Sequence, residues 1–272
     1  MLRLLIVAGP PENGSLDEFN YQWGIVHIAL ALTTPSSMQF IRRYTQSRVV
    51  ALPDGILLAR PPQPWQYCCT DQLYDDLGAF GAAAAHPDYF RRIVPHTFAG
   101  SRTLVQLAEH AVQLADRSPA GGRPPFKLLS LVRRSADVGI ERFRETWLSR
   151  LDPVQEEALE RGLLRAVSRS VAFDVDRGLF AATPFADGSI NDYDGVEDLY
   201  FDDLAALTGY ISRIRDLAGD PNAIVDPGRS VTLPMKERMV FDQTSDGPRP
   251  AILDPDSFEA SVYATEPQDG RW

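Results

Sequence analysis

The sequence predicts an α+β chain made of two tandem β-α-β-β-α-β units packed sheet to sheet. Three observations predict it. A length of 272 residues admits one large domain or two modest ones. A run of two glycines and three prolines at 118–125 divides the chain near its middle. The stretches on either side then repeat one order of strand and helix signals.

The first strands are Leu2–Ala8 and Phe126–Val132, each a short apolar run followed by a polar turn. The first helices follow with Phe19 and Trp23 in one half and Phe143 and Trp147 in the other. Residues four apart share a helix face, so each aromatic pair looks the same way. Ser15 with Glu18 forms a capping box at the helix start. Second strands are expected at Gln46–Ala51 and Ser168–Phe173, and third strands at Gln66–Tyr74 and Val196–Phe201. The third strands end in Tyr74-Asp75-Asp76-Leu77 and Phe201-Asp202-Asp203-Leu204. Aspartates there cap the alanine- and leucine-rich helices that follow. Fourth strands fit Thr103–Val112 and Val231–Phe241. This order is the split-βαβ, or ferredoxin-like, unit. In Val196–Phe201, Glu197, Leu199 and Phe201 alternate with Val196, Asp198 and Tyr200, so both sheet faces need covering. The divisions are residues 1–117, a linker at 118–125, 126–242 and an acidic tail at 243–272.

Composition narrows the function. Hydrophobic residues make up 44% and charged residues 24%, ordinary for a globular chain. No apolar run reaches the ~18 residues of a membrane helix, and Leu2–Ala8 is too short for a secretory leader. The only cysteines, Cys68 and Cys69, are adjacent and cannot staple distant segments, which points to a reducing, cytoplasmic setting. A net charge of −10 argues against a phosphate backbone as partner. Residues 1–120 carry 9 Lys+Arg against 10 Asp+Glu, so the acidity sits in the second half. Neither a metal-ligand spacing, a glycine-rich phosphate loop nor a nucleophile elbow is present. No cofactor, no metal and no nucleic acid are expected; the partner is a hydrophobic small molecule.

The stretch Phe126–Pro153, with Phe143, Trp147 and Asp152-Pro153, followed by Asp194-Gly-Val-Glu-Asp-Leu-Tyr-Phe-Asp-Asp203, closely resembles the EthD domain. The first half resembles it through Phe19, Trp23, His27 and Arg42-Arg43-Tyr44. That family belongs to the dimeric α/β-barrel superfamily. The resemblance implies two tandem copies forming one intramolecular barrel, with a pocket between each sheet and its own helices. It leaves room for a further homodimer of such barrels. Relatives include cofactor-free monooxygenases of polyketide anthrones, polyketide cyclases, dehydratases and haem-binding enzymes. The family commonly reads Trp-x-x-x-His-x-Pro along the first helix. The first half keeps His27 but has Ala29 for the proline; the second keeps Pro153 but has Leu151 for the histidine. The acidic position on the third strand is Glu197 in one half and Thr70 in the other. No His–Glu pair is therefore available within one pocket.

His27 and Glu197 are the candidate catalytic residues. An imidazole titrates near neutrality and suits acid–base work, and a carboxylate in a dry site becomes a stronger base. Against this, His27 is equally read as a packed core histidine, and Glu197 as structural if an arginine pairs with it. Trp23, Tyr44, Trp65 and Tyr67 suit a flat aromatic substrate, His96 the pocket rim, and Arg43 an enolate or carboxylate. The expected activity is cofactor-independent proton abstraction from an aromatic or polyketide-like molecule, followed by oxygenation, dehydration or cyclisation. The first half, with every histidine, is the expected site. Rival readings are a non-catalytic small-molecule-binding or interaction module, and a barrel that binds haem on His27.

Overall fold

The computed structural model describes residues 1–56, 58, 61–95, 103–118, 123–181, 183, 185–186, 188–215 and 224–244. His96, residues 119–122 of the linker and the tail beyond Thr244 lie outside the described residues. The molecule is a mixed α+β structure around one ten-stranded sheet.

The first half supplies β1 (Leu2–Ala8), β2 (Ile41–Val49), β3 (Cys68–Tyr74) and β4 (Leu104–Glu109). Between β1 and β2 run α1 (Leu16–Tyr21), a π-helical turn (Gln22–Val26), α2 (His27–Thr33) and α3 (Pro35–Phe40); α4 (Leu77–Ala84) follows β3. The first half ends in β5 (Val112–Asp116), and the second supplies β6 (Phe126–Arg134), β7 (Ala166–Val171), β8 (Ser189–Ile190), β9 (Gly195–Phe201) and β10 (Val225–Asp242). Its helices are α5 (Ile140–Ser149), α6 (Pro153–Glu160) and α7 (Leu204–Arg215). The expected caps form: the Asp76 carboxylate accepts from Ala79 N and that of Asp203 from Ala206 N, both at 2.8 Å.

Within the sheet the order is β5-β7-β9-β6-β10-β2-β3-β1-β4-β8. The seam between the halves is β10, which pairs with β6 from Val225 to Lys236 and with β2 from Met235 to Asp242. At the far edge β4 reaches the end of β7: Ala108 bridges Ala172, and Phe173 N donates to Leu107 O at 2.9 Å. Three residues later the chain pairs with β7 as β5. The strands thus close on themselves.

The fourth strands differ from their expected extent for this reason. Each must pair with strands of both halves, so the second runs from Val225 rather than Val231, and the first breaks at His110-Ala111 into β4 and β5. β2 begins at Ile41, five residues before expectation, because its early residues pair with the end of β10.

Alternation along the strands sorts two layers. Inside the closed sheet lie Leu5, Val7, Cys69, Leu129, Leu131, Val196, Leu233 and Met235. The interior also holds charge. Arg3, 2% exposed, donates from both edges of its guanidinium to Asp71 and Asp198, with a shortest contact of 2.6 Å to each. Lys127, fully buried, donates to Glu237 at 2.6 Å and stands 3.5 Å from Asp198. Buried charges persist only when paired in this way. Outside, Leu2, Leu4 and Tyr44 pack under the first-half helices, and Leu128, Leu199 and Phe201 under α6 and α7.

Candidate functional site

Sheet pairing sets up a residue-by-residue comparison of the two halves. Gln46 faces Thr70 across β2 and β3 as Arg169 faces Glu197 across β7 and β9. Ile6 faces Thr70 as Ser130 faces Glu197. Val105 stands beside Ile6 as Thr232 stands beside Ser130. Trp23 and Trp147 occupy matching places: Gln46 donates to Trp23 O at 3.0 Å, and Arg169 donates to Trp147 O at 3.1 Å. The first half therefore has a neutral set where the second has charge and hydroxyls.

The cavities follow the same division. Between the second-half sheet and α5, α6 and α7 is a cavity of about 440 Å³. That lies within the ~300–1,000 Å³ usual for small-molecule sites. Leu128, Val132, Leu199, Ile211 and Ile214 make its apolar walls, and Ser130, Thr232, Arg169 and Glu197 its polar floor. The first-half cavity is about 70 Å³, lined by His27, Ser37, Gln72, Tyr74 and Tyr89 among apolar residues. Tyr44 stands two residues before Gln46, where the second half has Val167 two before Arg169, and its fully buried ring packs in the first-half core. Burial pushes its hydroxyl up to about 12.

Glu197 is held firmly on one oxygen. Its Oε1 accepts from Gln155 Nε2 at 2.8 Å and from Arg169 Nε at 2.7 Å. Among the described residues no donor reaches Oε2. Arg169 is more fully engaged: Nη1 donates to the carbonyls of Trp147 and Arg150, at 3.1 and 2.6 Å, and Nη2 to Gln155 Oε1 at 2.9 Å. Its guanidinium lies over the Trp147 ring, 4.2 Å from the centroid. Asp152 caps α6 through a capping box with Gln155, and stands 3.9 Å from Arg169 Nη2 at the cavity's edge. Partial burial, then the neighbouring Glu197 charge, raises the Asp152 carboxyl above its ordinary value. Burial also raises the Tyr210 hydroxyl on the wall.

The Asp194-Gly195-x-Glu197 motif now has physical content. Asp194 accepts from the Arg134 backbone at 3.0 Å. A side chain on Gly195 would meet Trp147 Nε1 at 2.9 Å and Phe143 Cζ at 3.1 Å, so glycine lets both aromatics lie against β9. Trp147 Nε1 is then placed to donate to Ser170 O at 3.0 Å.

The expected site residues do not converge. His27 lines the small first-half cavity, whereas Glu197 lines the large one. Trp23 is not among the lining residues; it packs with Phe19, Cys68 and Tyr67 and donates to Thr70 Oγ1 at 3.2 Å. Trp65 rests against the interior cluster. Arg43 is half-buried on β2, where its charge acts on Asp71 and His110. Arg169, Gln155 and Tyr210 are not singled out by the sequence, and Asp152 enters there only in the Asp152-Pro153 pair, without a site role. The available signal was an arginine in the middle of an otherwise uncharged strand, Ser168-Arg169-Ser170.

No group of three or more His, Cys, Asp or Glu arranged to hold a metal occurs among the described residues, and none of their helices is long and apolar enough to cross a membrane. No curated protein matches the sequence at a significant level. Among solved structures, one similar chain is a protein of Fusobacterium nucleatum provisionally described as a monooxygenase: 8% identity, 88% of this chain and 92% of that one, TM-score 0.47. Another is an anthrone oxidase-like protein, at 10% identity over 91% and 96% with a TM-score of 0.43. A third is a chlorite dismutase variant of Candidatus Nitrospira defluvii, at 9% over 86% and 91%, TM-score 0.44. Such identities transfer no substrate. Among protein families, the EthD domain model matches residues 12–99, in the first half rather than where the sequence resemblance is closer.

Proposed function

We propose that the chain is a cofactor-independent enzyme acting on a hydrophobic, aromatic or polyketide-like molecule in the second-half cavity. The observation that carries this is an apolar chamber of about 440 Å³ whose floor presents a carboxylate oxygen without a donor among the described residues. The EthD match over residues 12–99 supports the same reading. So does the strand order second-third-first-fourth in both halves, β2-β3-β1-β4 and β7-β9-β6-β10. That order fits two tandem ferredoxin-like units closed into one barrel.

In this reading Glu197 is the base. Its Oε2 takes an acidic proton from the substrate, while Arg169 and Gln155 hold Oε1 still. Preorganised geometry of this kind, away from bulk water, is where a fixed carboxylate works best. The anion left on the substrate sits over apolar walls near the Arg169 charge. It then reacts with dioxygen, expels a leaving hydroxyl as water, or closes a ring. His27 faces a chamber of about 70 Å³, too small for such a substrate, so the base moves from the first half to the second.

A second reading is a binding module without turnover. The four hydrogen bonds of Arg169 favour it, since a well-bonded ion pair is also how a fold holds a buried carboxylate. One experiment separates them. Aromatic polyketide candidates are incubated with the protein, with and without oxygen, beside Glu197→Gln and His27→Ala. Loss of turnover in Glu197→Gln of 100-fold or more, with His27→Ala near wild type, is expected. Equal turnover in both variants and wild type overturns the site; binding without turnover in wild type selects the module.

A further inference from the structure

We infer that the second-half cavity selects an apolar ligand whose polar head donates a hydrogen bond and carries no negative charge, such as a phenolic hydroxyl or a protonated amine. This rests on the reading of that cavity as a small-molecule site, and it concerns which molecules enter rather than what becomes of them.

The charge balance at the floor comes first. Among the described lining residues the charged groups are Asp152, Glu197 and Arg169, two acids to one base. A ligand carboxylate entering the chamber would add a third negative charge beside Asp152 and Glu197, and such a charge is tolerated only beside a cation with donors placed to take it.

Arg169 is that cation, and four of its five N–H donors are committed. Nε and Nη2 go to Glu197 and Gln155, and Nη1 goes to two backbone carbonyls. One face is covered by the Trp147 ring. Neither edge is free for the two parallel bonds by which arginine usually takes a carboxylate. The pair nevertheless holds Glu197 in place through Oε1, which leaves Oε2 as an acceptor at the floor.

What a ligand meets, then, is Glu197 Oε2 beside the hydroxyls of Ser130 and Thr232, whose oxygens lie 3.3 Å apart. Hydroxyls serve either way, but a carboxylate only accepts. A donor head satisfies Oε2; an acceptor head leaves it unpaired and repelled. The first half supplies the contrast. Its matching residues, Ile6, Gln46, Thr70 and Val105, are uncharged, so the selectivity is a property of one half alone.

The test uses the full chain and four two-ring probes of one skeleton: 2-naphthol, 2-(aminomethyl)naphthalene, 2-methylnaphthalene and 2-naphthoate. Dissociation constants are measured by titration calorimetry at pH 7. The naphthol and the amine are expected to bind at least tenfold tighter than the naphthoate, with the methyl compound between. In Glu197→Gln the amine is expected to lose at least tenfold while the methyl compound changes less than threefold. Naphthoate binding as tightly as the naphthol, or a wild-type order that survives in Glu197→Gln, overturns the inference and leaves the cavity a ligand site. Failure of all four to bind overturns the small-molecule reading of the cavity as well. The wild-type order alone decides the matter should the variant not fold.

Discussion

Arg169 and Glu197 form the pair on which the larger cavity depends, and their burial makes a directional prediction. Arg169→Met strands a buried carboxylate and drops three structural hydrogen bonds, so unfolding in urea should show a loss of about 3–5 kcal/mol. Replacing both residues by methionine should recover much of that loss, because the unpaired charge goes with its partner. If the double variant is no more stable than the single, the cost lies in the lost carbonyl contacts instead. Glu197 was visible in the sequence, because it sits in a short motif on a strand whose alternation is plain. Its partner was not. Arg169 lies 28 residues away and meets Glu197 only through β7–β9 pairing, which no local pattern announces. His27 drew attention by its chemistry, yet the cavity it lines is only about 70 Å³, and that room is set by how helices and strands pack around it. Volume is a tertiary property.

At the scale of elements, α6 joins stability to the site. Asp152 caps its first turn and also stands at the cavity's edge, so two substitutions separate the roles. Asp152→Ala should cost about 1 kcal/mol in urea unfolding through the lost cap, while Asp152→Asn, which can still cap, should cost a few tenths. Equal losses would mean that charge rather than capping holds the turn. The caps at Asp76 and Asp203 were readable from the sequence because an N-cap is a local event of three residues. The long fourth strands were not. Residues Val225–Ser230 carry Pro227 and Gly228, which by local preference end a strand, yet pairing with β6 across an irregular register extends it there.

For the whole molecule, the interior charges join the two halves: Arg3 of the first binds Asp198 of the second. Asp71 and Asp198 are both held below the ordinary carboxylate value, burial being outweighed by Arg3 and then chiefly by the Arg3 bonds for one and by Lys127 for the other. A carboxyl depressed in the folded state contributes stability above its unfolded value of ~3.9, and that contribution fades as pH falls through the folded one. The urea midpoint should therefore drop steeply below about pH 4, and in Asp71→Asn with Asp198→Asn the slope across that range should flatten. An unchanged slope would place the acid sensitivity elsewhere. The repeat hinted at this network: Arg3 and Lys127 hold the same place in their strands, as do Asp71 and Asp198. A charged residue within an apolar strand usually marks a solvent face, so a salt-bridged interior was not foreseen.

The position of β10 also bears on how the chain is made. Among the described residues it is the last strand in sequence, yet it lies in the middle of the sheet with a partner on each side. Until it emerges from the ribosome, β2 and β6 each present an open edge, and open edges invite pairing with other chains. Synthesis therefore passes through a long interval in which two nearly finished halves wait with exposed backbone. The interval before β10 emerges is when these two halves stand most in need of a chaperone.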